Sequence, residues 1–599
     1  KKEFPPDVDI YWFHHRCYPA KATDQYLLTS RTGIEFIDYE KESWLTNHWV
    51  RGGCIYGIMP CNGLVYAPPH SCGCYLQSKL CGFNALAPES SSRPIPKKVP
   101  DEGRLERGLA YGKIDDENST VEKEDDWPTY RRDVARSGYT KREIPADLKP
   151  AWQADLGGRL TSVVVADGKV LLASVDTHTV HALDAASGKR LWSYTTGGRV
   201  DSPPTIWKGR VLFGSADGRV YCLRTSDGEL VWRFRAAPVD LRMGAYEQLE
   251  SVWPVHGSVL VQDGVLSCVA GRSMFLDGGL RMLQLDPKTG RKLAEEILDD
   301  RDPQTGENLQ AHVKNLTMPV ALPDVLSSDG RSIYMRGQQF DLKGVRRQIA
   351  PLAADDQTGE GTHLFCQIGF LDDSWFFRSY WLYGRGMGGG YGSWFQAGRM
   401  APSGRIMVFD DDTVYGFARK PEYMVNASVL EYNLYAADRF LKPESVQRVR
   451  KSNGPINAGS KKKNANASDW QARQGFDAKS LWAADVRWSD ESPPMLAQAM
   501  VLAGDTLFVA GPLDVVDEKA AFNNPDAPEI RAQIAEQETI LEGKKSRSAG
   551  MLRAVSASDG RKLAEYALDS LPVFDGMAVA NGGLYMATKD GKVIHLGKQ

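Results

Sequence analysis

No run of 18 apolar residues occurs in this chain, so no membrane-spanning helix is expected. The most apolar stretch, Met495 to Val516, is interrupted by Gly504-Asp505 and reads as a strand pair with a turn. Charge imbalance is missing too. Lys and Arg number 73 against 76 Asp and Glu in 599 residues, a net of −3. A nucleic-acid binder would favour a basic face, so nucleic acid is excluded as a main partner. No Cys-x-x-Cys pair is present, which removes the usual spacing of zinc sites. No Cys-x-x-Cys-His is present, which excludes c-type haem attachment. The chain opens KKEFPPDVD, without an initiator Met or a signal peptide. A fragment or a processed form is the expectation.

What is abundant is a repeat. Trp152, Trp192 and Trp232 stand 40 residues apart. Between them DGKVLLASVDTHTVHALDAASGKRLWSY (Asp167 to Tyr194) and KGRVLFGSADGRVYCLRTSDGELVWRF (Lys208 to Phe234) nearly coincide. Each reads as strands separated by turns. Gly168 and Gly209 mark the first turn; Gly188 and Gly228 mark the last, four residues before the tryptophan. A period near 40 with four short strands per unit is the signature of propeller blades. Length alone would suggest about four domains at roughly 150 residues each, but a propeller grows by adding blades around one axis. The expected fold is all-β, an eight-bladed propeller of four-stranded antiparallel blades, with seven blades as the alternative count, and with loop and helix insertions.

Residues 1–89 carry the theme out of phase, in irregular first blades: Tyr26 to Ser30, Arg31-Thr-Gly33, Ile34 to Asp38, Trp44, and then a hairpin signal at Asn62-Gly63. Residues 90–126 read as a linker or excursion. Residues 127–599 supply the remaining blades, with insertions near 374–400, 440–475 and 517–548. Pro528 to Lys544 has helical composition. The last unit, from Gly576, shows three strands and then stops. A propeller must close its ring to remove its sheet edges, so a strand from the N-terminal region is expected to complete this blade.

Gly168, Asp184, Gly188 and Trp192, then Gly209, Asp227, Gly228 and Trp232, with weaker echoes at Gly290 and Gly560, resemble the pyrroloquinoline-quinone-like propeller repeat. That repeat is shared by quinoprotein alcohol dehydrogenases and by non-catalytic propellers such as outer-membrane assembly lipoproteins. WPTYRRDVARSGYT (Trp127 to Thr140) resembles the lead-in of bacterial secreted or periplasmic members, and so do the Cys-rich stretches near the N-terminus. The resemblance implies a secreted or periplasmic location. It implies a fold without establishing a cofactor. The dehydrogenases place two adjacent cysteines in a disulfide above the quinone; here Gly73 separates Cys72 from Cys74. A bound quinone is therefore not expected.

Three constellations could carry chemistry. Cys17, Cys54, Cys61, His70, Cys72, Cys74 and Cys81, with His14 and His15, concentrate thiol and imidazole near the N-terminus. Cys17, Cys54, His70, Cys72 and Cys74 are the candidate ligands for Zn²⁺ or copper; structural disulfides and buried thiols are the alternatives. Cys222, Cys268 and Cys366 lie in apolar runs and read as small core residues. The second constellation is aromatic and Arg-rich: Arg378, Tyr380, Trp381, Arg385, Trp394 and Arg399. Guanidinium forks match carboxylate or sulfate, and aromatic faces can stack a sugar ring, so this set is a candidate acidic-glycan site. Packing between blades is its alternative. The third, His15, Arg16, Tyr66 and His70 with Lys21, Arg31 and Arg51, could abstract a proton beside a uronate carboxylate. A binding propeller for acidic polysaccharide or a protein partner is favoured narrowly. A polysaccharide lyase or hydrolase comes next, and a quinone- or metal-dependent oxidoreductase follows.

Overall fold

The strands of residues 164–235 form because β-branched and aromatic residues alternate with turns that only a left-handed backbone can make. Asp167-Gly168 and Lys208-Gly209 both have positive φ at each residue. The computed structural model describes residues 18–30, 33–45, 47, 49–69, 80, 82–92, 94–115, 123–309, 322–347, 356–374, 380–386, 398–424, 431–451, 477–543 and 549–598. It is mostly β, and its sheets are antiparallel with one parallel addition.

Eight sheets follow one another. The first is Val164–Ala166, Lys169–Ser174, Thr179–Asp184 and Arg190–Thr195. The second is Thr205–Trp207, Arg210–Ser215, Arg219–Arg224 and Leu230–Arg235. The third runs from Leu260–Gln262 to Lys292–Leu298, and the fourth has three strands from Ser327–Ser328 to Gln338–Asp341. The fifth joins His363–Cys366, Trp381–Gly384 and Ser403–Gly404. The sixth runs from Ile406–Phe409 to Val486–Asp490, and the seventh from Ala499–Ala503 to Lys562–Leu568. The eighth combines Pro572–Ala580, Gly583–Thr588 and Lys592–Gly597 with Lys149–Asp155.

Apolar packing joins each sheet to the next and the last to the first. Val164 and Val180 pack with Val211 and Phe213 between sheets one and two, Cys222 with Leu266 between two and three, and Leu280 with Ile333 between three and four. Tyr334 stacks on His363 at 3.7 Å between four and five. Trp381, Val408 and Leu502 belong to one cluster spanning five to seven. Val501, Met586 and Val165 belong to another spanning seven, eight and one. The ring is thereby closed.

The repeat tryptophan has a defined partner. The Trp152, Trp192, Trp232 and Trp488 indole N–H groups donate to Ala185, Thr225, Pro287 and Ala557 O of the following sheet at 3.0, 3.0, 3.2 and 2.8 Å. A Cβ on Gly188, Gly228, Gly290 or Gly560 would stand 2.5–2.6 Å from the same indoles. Each tryptophan thus fills a notch in the neighbouring sheet that a side chain at the turn glycine would occupy.

Three expectations need correction. The strand that closes the ring is Lys149–Asp155, which pairs with Lys592–Gly597, and not one from residues 1–89. That early region forms its own sheets, Lys21–Ala22 to Ser43–Leu45 and Met59–Cys61 to Asn84–Leu86. Among the described residues neither pairs with the ring; Trp49 stacks on Phe275 of the third sheet at 4.6 Å. Residues 90–115 are also no free linker. Leu105–Arg107 adds a fifth strand to the second sheet, and buried Arg104 reaches Glu295 at 2.6 Å. The inserted helix occupies Pro528–Leu541. Gln537 on that helix bonds both ways with the chain leaving the seventh sheet, Val515 N–H and Leu513 O.

Candidate functional site

Residues 127–140 occupy the middle of the ring. Trp127 exchanges backbone hydrogen bonds with Val165 of the first sheet, and Pro128 O accepts from Ile206 of the second. Val134 O accepts from Ser328 of the fourth, Ser137 O from Phe409 of the sixth, and Gly138 O from Leu502 of the seventh. Tyr139–Thr140 adds parallel to the first strand of the seventh sheet. A segment that meets the first strands of five sheets around a ring lies on its axis.

Its arginines are buried there. The Arg131 guanidinium bonds Asp575 at 2.8 Å, with side chains 2% and 4% exposed, and lies over Trp381 at 4.6 Å. It also donates to Arg136 O and Met407 O. Arg136 donates to Leu326 O and Thr129 Oγ1 at 2.9 Å. Burial pulls Arg136 down to about 10. These groups satisfy backbone carbonyls inside the ring, where an unpaired guanidinium would be costly.

In an antiparallel four-stranded sheet, the entry to strand one, the hairpin between strands two and three and the exit of strand four share an end. Two polar groupings lie at this end of the propeller. Near the second sheet, Asp201 Oδ2 meets His256 Nδ1 at 2.8 Å, and Asp201 Oδ1 accepts from Gly257 N at 2.9 Å. Burial works against the Asp201 carboxylate, but His256, Arg199 and the backbone donor hold it well below the usual range. Burial likewise opposes the His256 imidazolium, and Asp201 outweighs it, so the imidazole pKa is raised. The His256 side chain is 27% exposed. Beside it Glu250, fully buried, takes Arg199 Nε and Arg272 Nη2, each at 2.7 Å.

The second grouping is a cavity of about 30 Å³ between the fifth and sixth sheets, lined by Tyr380, Ser403, Arg405, Arg419, Tyr432 and neighbouring Gly, Ala and Met residues. That volume suits one small polar group. Arg405 and Arg419 are 4% and 9% exposed. Arg405 lies over Phe574 at 4.4 Å and donates to Asp372 O. Burial pushes the Tyr380 and Tyr432 phenols up, with Arg419 pulling both back. No carboxylate is among the described lining residues.

The aromatic and Arg-rich set is divided by the structure. Tyr380 lines the cavity. Trp381 is fully buried, with Phe370 and Phe574 edge-on at 5.2 and 6.1 Å, so it is a core residue and no surface platform. Arg385 pairs with Asp356 at 2.8 Å, and Arg399, 1% exposed, donates to Leu481 O. Arg378 and Trp394 lie outside the described residues. So do His15, Arg16, Cys17, Arg31, His70, Cys72, Cys74 and Cys81. Tyr66 is half-buried against Phe83 at 6.0 Å. Cys54 is half-buried and Cys61 exposed. Cys222, Cys268 and Cys366 are buried in strands, and burial raises their thiols. Sequence reasoning passed over Arg405, Arg419, Tyr432, Asp201 and His256. One signal was available: Asp201-Ser-Pro-Pro and Glu491-Ser-Pro-Pro recur, each leading to a sheet's first strand.

The geometry also bears on a bound quinone. A planar cofactor between the inner strands would need space that residues 127–140 fill. No cluster of three His, Cys, Asp or Glu side chains suited to a metal occurs among the described residues. The described residues do not fit a quinone. Among them, no helix is long and apolar enough to cross a membrane.

A family model described as outer membrane protein assembly factor BamB matches residues 145–344. The dehydrogenase subunit of alcohol dehydrogenase (quinone) from Komagataeibacter europaeus is 29% identical over 184 residues, 28% of this chain and 24% of that one. BamB of Burkholderia pseudomallei is 32% identical over 115 residues, 19% of this chain and 30% of its own. The chain therefore spans about a quarter of the length of the curated relatives it matches. The solved quinohemoprotein alcohol dehydrogenase ADHIIG of Pseudomonas putida HK5 aligns over 79% of this chain and 80% of its own, at 12% identity and a TM-score of 0.43. With the Trp–Gly docking between successive sheets and the match over residues 145–344, the chain is a pyrroloquinoline-quinone-like β-propeller repeat protein.

Proposed function

We propose that this propeller binds acidic polysaccharide, and that the cavity bounded by Tyr380, Arg405, Arg419 and Tyr432 receives one carboxylate or sulfate of the polymer. The observation that carries the reading is the composition of that cavity: two guanidiniums and two phenols among its described lining residues. Planar guanidinium forks suit carboxylate and sulfate. The volume admits the acidic group and leaves the sugar ring outside. Such polymers are extracellular, in keeping with the secreted or periplasmic location implied by the resemblance.

Calorimetry with polygalacturonate, alginate and heparin tests this. Wild type is expected to bind at least one, more weakly as salt rises. Arg419→Gln is expected to weaken binding on the order of tenfold, a loss of about 1.4 kcal/mol. The reading fails if wild type binds none of the three. It fails equally if Arg419→Gln keeps both its melting temperature and its affinity.

A catalytic reading has one observation in its favour, the partly exposed His256 oriented by Asp201. An imidazole so held is suited to general acid–base work on a uronate. Lyase action would release unsaturated products absorbing in the ultraviolet, and His256→Gln would stop their release. Binding without product would leave the protein a binding module.

A further inference from the structure

The hairpin of Arg242–Ala245 and Gln248–Ser251 turns through Tyr246 and Glu247 at φ 50° and 62°. A two-residue turn of this kind needs positive φ at both places. Elsewhere the chain meets that need with glycine second: Asn62-Gly63, Asp167-Gly168, Lys208-Gly209, Asp263-Gly264 and Asn581-Gly582. Here a phenol and a carboxylate side chain hold the left-handed backbone instead. A bulky residue in that region is an outlier, and local strain of this kind concentrates where geometry serves a ligand.

What the turn achieves is the placement of one ring. The Tyr246 ring centroid lies 4.2 Å from the Arg199 guanidinium, and the residue is 66% exposed. Arg199 is fixed by Glu250, which also takes Arg272. Gln248 Oε1 meets His178 Nε2 at 2.6 Å, tying the hairpin to the first sheet. Leu249 is 66% exposed as well. Within the same network stands His256, its Nδ1 engaged by Asp201.

The geometry points to a saccharide subsite at Tyr246, where a neutral pyranose ring stacks on the open face of the phenol. Arg199 covers the other face of the ring and leads through Asp201 to His256, whose side chain is 27% exposed. A sugar fits because its flat apolar face can cover the exposed ring while its edge hydroxyls stay in water. Neutrality follows from the charges at the ring: Arg199 and Arg272 are already paired with Glu250, and the carboxylate of adjacent Glu247 disfavours an anion. The subsite is independent of the Arg405–Arg419 cavity.

The test is an array of neutral hexasaccharides of glucose, galactose, mannose and xylose, followed by calorimetry on those retained. Two variants are compared, Tyr246→Ala and the double Tyr246→Asn/Glu247→Gly. The double variant supplies the turn pair this backbone favours, so its melting temperature is expected to equal or exceed that of wild type. Its affinity is expected to fall on the order of tenfold, as stacking on an aromatic face implies. Three results overturn the proposal: no neutral oligosaccharide bound by wild type, undiminished binding by the double variant, or a double variant that melts earlier. Acidic polymer binding is expected to survive in both Tyr246 variants, and neutral sugar binding in Arg419→Gln. The two sites therefore stand or fall separately.

Discussion

Gly228 lies flat against the indole of Trp192, so close that any Cβ there would stand 2.6 Å from Cε3 of the ring. The two residues belong to neighbouring sheets, and the indole N–H is satisfied by Thr225 O of the same turn. Gly228→Ala is expected to destabilise the protein by about 2–5 kcal/mol, from about 1–2 kcal/mol of left-handed backbone strain and about 1–3 kcal/mol of overpacking. Gly168→Ala is the control. It has φ +68° and nothing within 4 Å of the added carbon, so about 1–2 kcal/mol is expected. Urea unfolding of the two variants measures the difference.

Arg131 and Asp575 form a pair inside the ring, and breaking one side leaves a buried charge. Arg131→Met is expected to cost about 3–5 kcal/mol. Arg131→Met/Asp575→Asn is expected to recover part of that loss, because the orphaned carboxylate is gone. A double variant no more stable than the single would show that the pair is not coupled.

Trp381→Ala separates a core role from a ligand-stacking role. Its burial predicts a loss of about 3–5 kcal/mol. At a temperature where the variant stays folded, affinity for acidic polymer is expected to be unchanged. Loss of affinity with unchanged stability would return Trp381 to the surface of a site.

His181 gives the protein a dependence on pH. Burial lowers its pKa to about 4, and its Nε2 meets Ser174 Oγ at 3.0 Å. The unfolded chain takes up a proton near pH 6.5, well before the folded one. Stability from this residue is thus complete above pH 6.5 and is lost progressively as pH falls toward 4. Melting temperatures of wild type and His181→Gln measured between pH 4 and 8 check this. The variant is expected to show a flatter acid limb.

The ring was legible in the sequence because its neighbours dock by rule. The Trp192 and Gly228 positions recur at fixed spacing, so the pattern survives where loops vary. The eighth sheet's missing strand was also foreseeable, since an open edge must be paired. Its donor was misplaced: residues 26–45 show alternation as strong as Lys149–Asp155, and alternation does not say which sheet a strand joins. Trp127–Thr140 gave no periodic signal at all. Its residues face different sheets in turn, so neither a helical nor a strand period arises. The cavity was missed because Arg405, Arg419 and Tyr432 come from separate strands of the sixth sheet and its approach. Tyr380, from the fifth, was the one member that stood in an obvious cluster.

The central segment imposes an order on assembly. Trp127–Thr140 leaves the ribosome before the inner strands that will surround it, and the pairing of Lys149–Asp155 with Lys592–Gly597 spans most of the chain. Closure therefore waits until Lys592–Gly597 has been made, and such long-range contacts slow folding. Until then Arg131 and Arg136 have no carbonyl cage, and the inner strands have no axis to settle on. The nascent ring is an open arc that already holds its own keystone, a state whose exposed inner strands are prone to aggregate during refolding.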